Sequence, residues 1–305
     1  MCEGFFLDKF AIFNYVENKA EIPIRFNILR KAPDFIWDWY VKKFNPILIE
    51  KLNFDFADGF SIKLPLEKIK TDEKKFLHSL NLAIKSLPQI KIIRLQRTDV
   101  KVDMPIAHGN FLFAFLAIDV IKKFFDVTGK NFGQLEIFIL DKNHLLTQIL
   151  IDAIYPHVNY LTIITDTKEI YAQKEHDIFK DVGLNIQILN YNKLYLKNAD
   201  VIINTGMDCD FAHALSKNIL YFDLSGRKDN FTDFKIKRPD VFALDNLNLY
   251  CMNKNFDSIL LEMCLYCMCN DFKKIFDGTY NELLFENVMK TLKELDVKIS
   301  SFQKN

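Results

Sequence analysis

Glycine and proline are scarce in this chain, at 9 and 8 in 305 residues. That scarcity excludes a long flexible linker. Charge of one sign is missing too. The 40 basic and 40 acidic residues cancel, so no global field draws the chain to nucleic acid or to an acidic membrane. Long apolar runs are absent. The greasiest stretch, Phe111 to Ile118, is broken by Asp119 and then by Lys122 and Lys123. It is too short to span a bilayer and reads as a core helix, so no integral membrane segment is expected. The start, Met1-Cys2-Glu3-Gly4, carries neither the basic region nor the long apolar region of an export signal. Six cysteines in a chain of this length do not make a disulfide scaffold. Reduced thiols and a cytoplasmic address are the expectation.

What is present suits a folded α/β protein. Hydrophobic residues make up 50% and charged residues 26%, enough for a sizeable core. The 29 phenylalanines carry no functional weight by themselves.

In the first third, Phe10 to Tyr15 and Lys91 to Leu95 read as strands. Gly59 to Leu64 alternates and is expected to end at Pro65. Pro33 suits the first turn of a helix through Trp37, Trp39 and Tyr40. Thr71 is a candidate cap for a second helix, whose apolar positions Phe76, Leu77, Leu80, Ala83, Ile84 and Leu87 repeat with helical spacing.

The middle has a clearer rhythm. Strands at Leu135–Leu140, Tyr160–Thr165, Leu184–Leu189, Asp200–Asn204 and Ile219–Asp223 alternate with helices near Asn143–Tyr155, Lys168–Lys180 and Phe211–Ser216. Short buried strands alternating with helices predict right-handed crossovers and a doubly wound parallel sheet. Its ligand crevice lies at the carboxyl ends of the strands. Two helices, near Phe256–Phe272 and Tyr280–Leu295, close the chain. The boundary between lobes is placed between Asp99 and Gly109, giving a smaller α/β lobe over 1–105 and the parallel sheet with the C-terminal helices over 106–305. The helix from Asn110 to Phe125 links them.

In a dinucleotide-binding unit, the first strand runs into a glycine-rich turn that lets the backbone approach a pyrophosphate. Here Leu140 is followed by Asp141-Lys142-Asn143-His144, with no glycine. Asp141 would place a carboxylate at the anion site as the cap of the following helix, and Lys142 would partly compensate. Asp166 suits a ribose hydroxyl, or is an ordinary turn residue.

Cys264, Cys267 and Cys269 suggest a metal at first sight. Helical spacing instead puts Cys264 and Cys267 on one apolar stripe with Phe256, Ile259, Leu260 and Met263. Cys209 and His213 supply half a metal site at most. Cys251 precedes the C-terminal helix and is expected on a loop near the crevice, as a nucleophile or as a structural thiol. His108, beside Gly109 and Asn110, is a general acid, an anion-binding group or a plain capping histidine.

Several segments together resemble a family. Leu29 to Phe35, Gly59 to Leu66, Ala107 to Phe113, Ala199 to Gly206 and Phe222 to Leu224 are similar to segments of the acyl-acyl carrier protein reductases that form fatty aldehydes. A more distant similarity extends to shikimate dehydrogenase and glutamyl-tRNA reductase. The resemblance implies a Rossmann-like second lobe and an oxidoreductase using NADPH or NADH. It implies acyl transfer from acyl carrier protein or acyl-CoA to Cys251, then hydride transfer; His108, from its own position, is a second catalytic candidate. It places the nicotinamide at the crevice around Thr205 and Gly206 and the substrate near Gly109 and Asn110, while Lys142 and Asp166 are cofactor candidates from their own positions at the strand ends. The chain departs from the family at its glycine loop, at the hydroxyl-bearing positions now filled by Ala107, His108, Phe111 and Phe113, and at Cys267, where the family's closing helix has a glutamate. Two functions are therefore expected side by side: reduction of an acyl thioester to an aldehyde, or a non-catalytic pseudoenzyme that binds or regulates a partner.

Overall fold

The computed structural model describes residues 8–16, 18, 21–22, 31–67, 72–96 and 100–301. The chain divides into two compact units, Met1–Ala107 with Glu262–Asp277, and His108–Leu261 with Gly278–Asn305. The sequence reading keeps all the C-terminal helices with the second lobe, whereas residues Glu262–Asp277 group with the first unit.

The first unit is built on a four-stranded mixed sheet. Its strands are β1 (Lys9–Val16), β2 (Leu48–Asn53), β3 (Asp58–Glu67) and β4 (Ile90–Leu95), in the order β2-β3-β1-β4. β1 pairs in parallel with β3 and β4, and β2 pairs antiparallel with β3. β2 escapes the sequence reading because it is an edge strand with mostly exposed side chains and little alternation. β3 runs through Pro65 instead of ending there. Proline lacks an N–H, but Pro65 falls in the bulge where Tyr15 pairs with Leu64 and Val16 with Glu67. The ladder is already interrupted at that point. Helices α1 (Asp34–Phe44) and α2 (Glu73–Ser86) complete this part. α2 buries Phe76, Leu80 and Ala83 against Ala11, Phe13, Ile62 and Leu64. Its cap is Asp72, whose carboxyl accepts the Lys75 N–H at 2.8 Å. Thr71, with Leu29, Arg30 and Asp99, lies outside the described residues.

The second unit carries a six-stranded parallel sheet. It comprises β5 (Glu136–Leu140), β6 (Tyr160–Ile164), β7 (Gln187–Leu189), β8 (Val201–Asn204), β9 (Leu220–Asp223) and β10 (Phe242–Leu244). Their order is β10-β9-β8-β5-β6-β7. Counted from β5 as the first, this is the 3-2-1-4-5-6 arrangement of the Rossmann fold. Strands covered on both faces need continuous apolar runs, and β6, β8 and β9 are buried along nearly their whole length. α3 (Asn110–Thr128) packs Phe113 on Phe222 of β9, with ring centroids 4.9 Å apart. α4 (His144–Ile154) follows β5, and α5 (Ala172–Val182) follows β6. The turn before α5, Lys168–Tyr171, is a 3-10 turn and not the start of the expected α-helix. Gly183 stops α5 in the left-handed conformation, at φ 71°. The short helix expected near Phe211 is a 3-10 segment, Cys209–Ala214, and α6 (Lys228–Lys237) follows β9.

A small antiparallel sheet was not anticipated. β11 (Asn248–Cys251) and β12 (Lys254–Asp257) form a hairpin, and β13 (Lys298–Ser301) pairs with the other side of β11. The hairpin turn is Met252-Asn253, both at positive φ, 46° and 63°. Two-residue hairpin turns need such angles, and the usual Asn-Gly signature is absent here. α7 (Ser258–Met268) begins in the second unit and ends in the first. α8 (Asn270–Phe276) belongs to the first unit, where Lys273 reaches Asp8 at 2.6 Å. α9 (Glu282–Glu294) belongs to the second. Phe256 lies in β12, outside the helical stripe expected for it. Among the described residues, no helix is long and apolar enough to cross a membrane.

Candidate functional site

The sheet order reverses between β5 and β8, whose ends pair Leu140 with Asn204. In this fold the ligand crevice opens beyond that point. Three turns meet there: Asp141 to Asn143 after β5, Thr165 to Thr167 after β6, and Thr205 to Met207 after β8.

Asp141 continues the ladder, donating its N–H to Ile164 O at 2.8 Å. The residue is only 2% exposed. A carboxylate so placed must be hydrogen-bonded. One oxygen accepts the Thr147 hydroxyl at 2.8 Å. The other accepts the Tyr171 hydroxyl at 2.7 Å and the Thr165 hydroxyl at 3.0 Å, and lies 2.9 Å from His144 Nδ1. Burial, and then the Asp141 charge, push the Tyr171 phenol far above its ordinary pKa, so it stays protonated and donates. Asp141 is not the helix cap. That part falls to Asn143, whose side chain accepts the Leu146 N–H at 3.2 Å.

Thr205 occupies the backbone of the same turn. Its hydroxyl donates to Leu140 O at 3.0 Å and accepts the N–H groups of Lys142 and Asn143 at 2.9 and 3.1 Å. A hydroxyl has one donor and two acceptor positions, so it is fully used. The Lys142 ammonium is 2.6 Å from Asp166, and both side chains are about half exposed. Such a surface pair contributes at most about 1 kcal/mol. Gly206 sits at φ 148°, and a Cβ there would lie 3.2 Å from Lys142 Cβ. Its carbonyl accepts Arg227 Nη2 at 2.9 Å.

Lys142, Asp166, Thr205 and Gly206, chosen from the sequence, therefore meet at one crevice. His108, Gly109 and Asn110 assemble a short way along the sheet edge, beside the turn after β9. Asn110 Nδ2 donates to Leu224 O at 2.8 Å. His108 lies against Gly226, where an added Cβ would be 3.4 Å from its ring. Packing around the His108 imidazole lowers its pKa, although the residue still presents surface to solvent. Gly109 is dictated by the backbone. Its φ is 81°, and a Cβ would stand 2.5 Å from Ser258 Oγ.

Cys251 is not brought to either place. It is the last residue of β11 and 0% exposed, not on a loop at the crevice. Its thiol points at Leu295 O, 3.6 Å away. Burial, then Asp296, push its pKa up to about 11. A nucleophilic cysteine needs the opposite shift. Cys209 is likewise buried, between Tyr221 and the Asn230 carbonyl, while His213 is exposed. Among the described residues, no group of three His, Cys, Asp or Glu side chains is placed to hold a metal ion.

A dinucleotide would need a backbone cradle with free N–H groups at the N-terminus of α4. The residues present do not fit it. Lys142 and Asn143 N–H are taken by Thr205, Leu146 N–H by Asn143, and a buried carboxylate stands where the first glycine belongs. Sequence reasoning found Asp141 but missed Thr147, Thr165, Tyr171 and His144 as its partners. The i, i+3 spacing of Asp141 and His144 was the available signal.

No family model matches the chain. No curated protein matches it. Among solved structures, L-tryptophan dehydrogenase from Nostoc punctiforme aligns with a TM-score of 0.37 at 10% identity, over 94% of this chain and 81% of that one. Shikimate dehydrogenase 1 from Peptoclostridium difficile aligns at 0.33 and 12%, over 94% and 98%. 5-Ketofructose reductase of Gluconobacter sp. strain CHM43 aligns at 0.31 and 10%, over 93% and 99%. The second unit has the Rossmann fold, and that rests on its own strand order. Likenesses this faint carry no activity across to this chain, and none of them bears on acyl-thioester chemistry.

Proposed function

We propose that this chain uses a dehydrogenase-type fold as a binding scaffold, and that its switch-point crevice takes a small ligand other than NADPH or NADH. One observation carries the reading: the turn after β5, where this fold carries its glycine loop, instead holds the buried carboxyl of Asp141, bonded to Thr147, Thr165 and Tyr171 and close to His144. Admitting a diphosphate would set two like charges side by side in a desolvated pocket. It would also break the Thr205 bonds to Lys142 and Asn143. The alternative, reduction of an acyl thioester delivered by acyl carrier protein or coenzyme A, needs a reactive Cys251. The buried thiol in β11 offers no support for it.

Thermal unfolding with NADPH, NADH and no ligand tests the reading. A ligand at 100 times its Kd stabilises a protein by about 2.7 kcal/mol. For a unit of this size that is a midpoint rise of about 5 degrees or more. The expected result is no rise with either nucleotide at millimolar concentration. A saturable rise with one of them overturns the reading and returns the oxidoreductase function.

A further inference from the structure

The Asp141 network does more than fill a cradle, because one of its four partners faces outward. Thr147, Thr165 and Tyr171 are buried. The His144 side chain is 51% exposed, while the Asp141 side chain it bonds is 0% exposed. The carboxyl is surrounded by three hydroxyl donors, so it acts as an acceptor. Nδ1 of His144 must then carry its proton toward Asp141. The lone pair of the neutral ring is then left on Nε2, at the opposite edge of a side chain that is half exposed. Asn143 holds the first turn of α4, and Thr205 holds the backbone just before it, so the ring stands on a fixed element. Tyr171, which also comes within 3.3 Å of Nδ1, packs edge-on against the imidazole with centroids 6.2 Å apart.

We propose that His144 is a general base at the mouth of the crevice, positioned by Asp141, acting on a hydroxyl proton of a small ligand or of water. A carboxylate that orients imidazole by Nδ1 and leaves Nε2 free is the arrangement acid–base chemistry uses. In the step, the O–H bond breaks, its proton joins the Nε2 lone pair, and the electron pair stays on oxygen as the attacking nucleophile. The imidazolium is balanced by Asp141 and returns its proton to solvent. No oxidant, reductant or cofactor is involved. The inference does not depend on whether the crevice admits a dinucleotide.

The test uses the full chain and two readouts. The first is the tautomer of His144, read from its ring nitrogens by NMR on 15N-labelled protein. The expected neutral form is protonated on Nδ1, the minor form of free histidine. Asp141→Asn should shift it toward Nε2, and the wild-type spectrum decides by itself if that variant fails to fold. The second is hydrolysis of p-nitrophenyl acetate. There Nε2 takes a water proton, the oxygen adds to the acetyl carbon, and p-nitrophenolate leaves with acetate as co-product. His144→Gln leaves Asp141 its three hydroxyl donors and should lower the rate about tenfold or more. A proton found on Nε2 in the wild type overturns the proposal. So does a His144→Gln rate equal to wild type, whatever the tautomer. Nucleotide binding seen in the thermal assay would overturn the binding-scaffold reading and leave this one standing.

Discussion

Replacing Tyr171 by phenylalanine removes one hydroxyl from the Asp141 network and nothing else. The ring is fully buried and stays packed. The lost bond, 2.7 Å to a carboxylate oxygen, belongs to the class worth about 1.5–3 kcal/mol. The same oxygen keeps Thr165 at 3.0 Å and His144 at 2.9 Å, and the other keeps Thr147 at 2.8 Å. The carboxylate is therefore not stranded, and the cost of about 3–5 kcal/mol for an unpaired buried charge does not apply. The expected loss lies at the low end, about 1.5–2 kcal/mol. For a unit of this size that is a midpoint drop of about 3–8 degrees. Calorimetry or circular dichroism reads it directly. A loss below about 0.5 kcal/mol would show that Tyr171 does not hold Asp141. A loss above about 4 kcal/mol would show that the other three donors do not either, and the filled-cradle argument would fail with them.

Three further outcomes follow from the same geometry. Gly109→Ala must adopt φ 81° and push its Cβ toward Ser258 Oγ, so it should destabilise by about 1–3 kcal/mol in urea unfolding; an unchanged midpoint would refute the close approach. Cys251, with its pKa pushed up to about 11, is thiolate in only roughly one molecule in ten thousand at pH 7. Thiol labelling should reach it only under unfolding conditions, and fast labelling of the native chain at that position would reinstate it as a nucleophile. Asp245 has its pKa raised, first by burial and then by Asp223. Its ionised form opposes folding at neutral pH, so Asp245→Asn should stabilise the protein there. That gain is full above the raised folded value and fades as pH falls toward the ordinary 3.8. Paired unfolding curves at pH 7 and pH 4 check it, and a gain that grows on acidification would contradict the sign.

Much of the fold was legible because parallel strands buried on both faces leave continuous apolar runs, and βαβ units repeat them. Ile137 to Leu140, Leu161 to Ile164, Val201 to Ile203 and Leu220 to Phe222 are such runs. Gly183 ends α5 by local chemistry alone, whereas α4 is capped by Asn143 and not by the expected Asp141. What escaped were elements without a local signature. β2 is an exposed edge strand, the β11–β12 hairpin turns on Met252-Asn253 without glycine, and Pro65 sits inside a strand because a bulge receives it.

The site divides the same way. The sequence by itself determined that a Rossmann-type crevice has no glycine loop, and that Asp141, Lys142, Asp166, Thr205 and Gly206 border it, because strand ends set those positions. Only the tertiary structure decided what these residues do. Thr147, Thr165, Tyr171 and His144 come from the turns and helices that follow two different strands, and no spacing along the chain shows that all four converge on one carboxyl. The same holds for Cys251. Its place in the sequence suggested a loop at the crevice, while it ends β11 opposite Lys254 and its thiol is buried against Leu295, a contact between segments far apart along the chain that no local spacing shows.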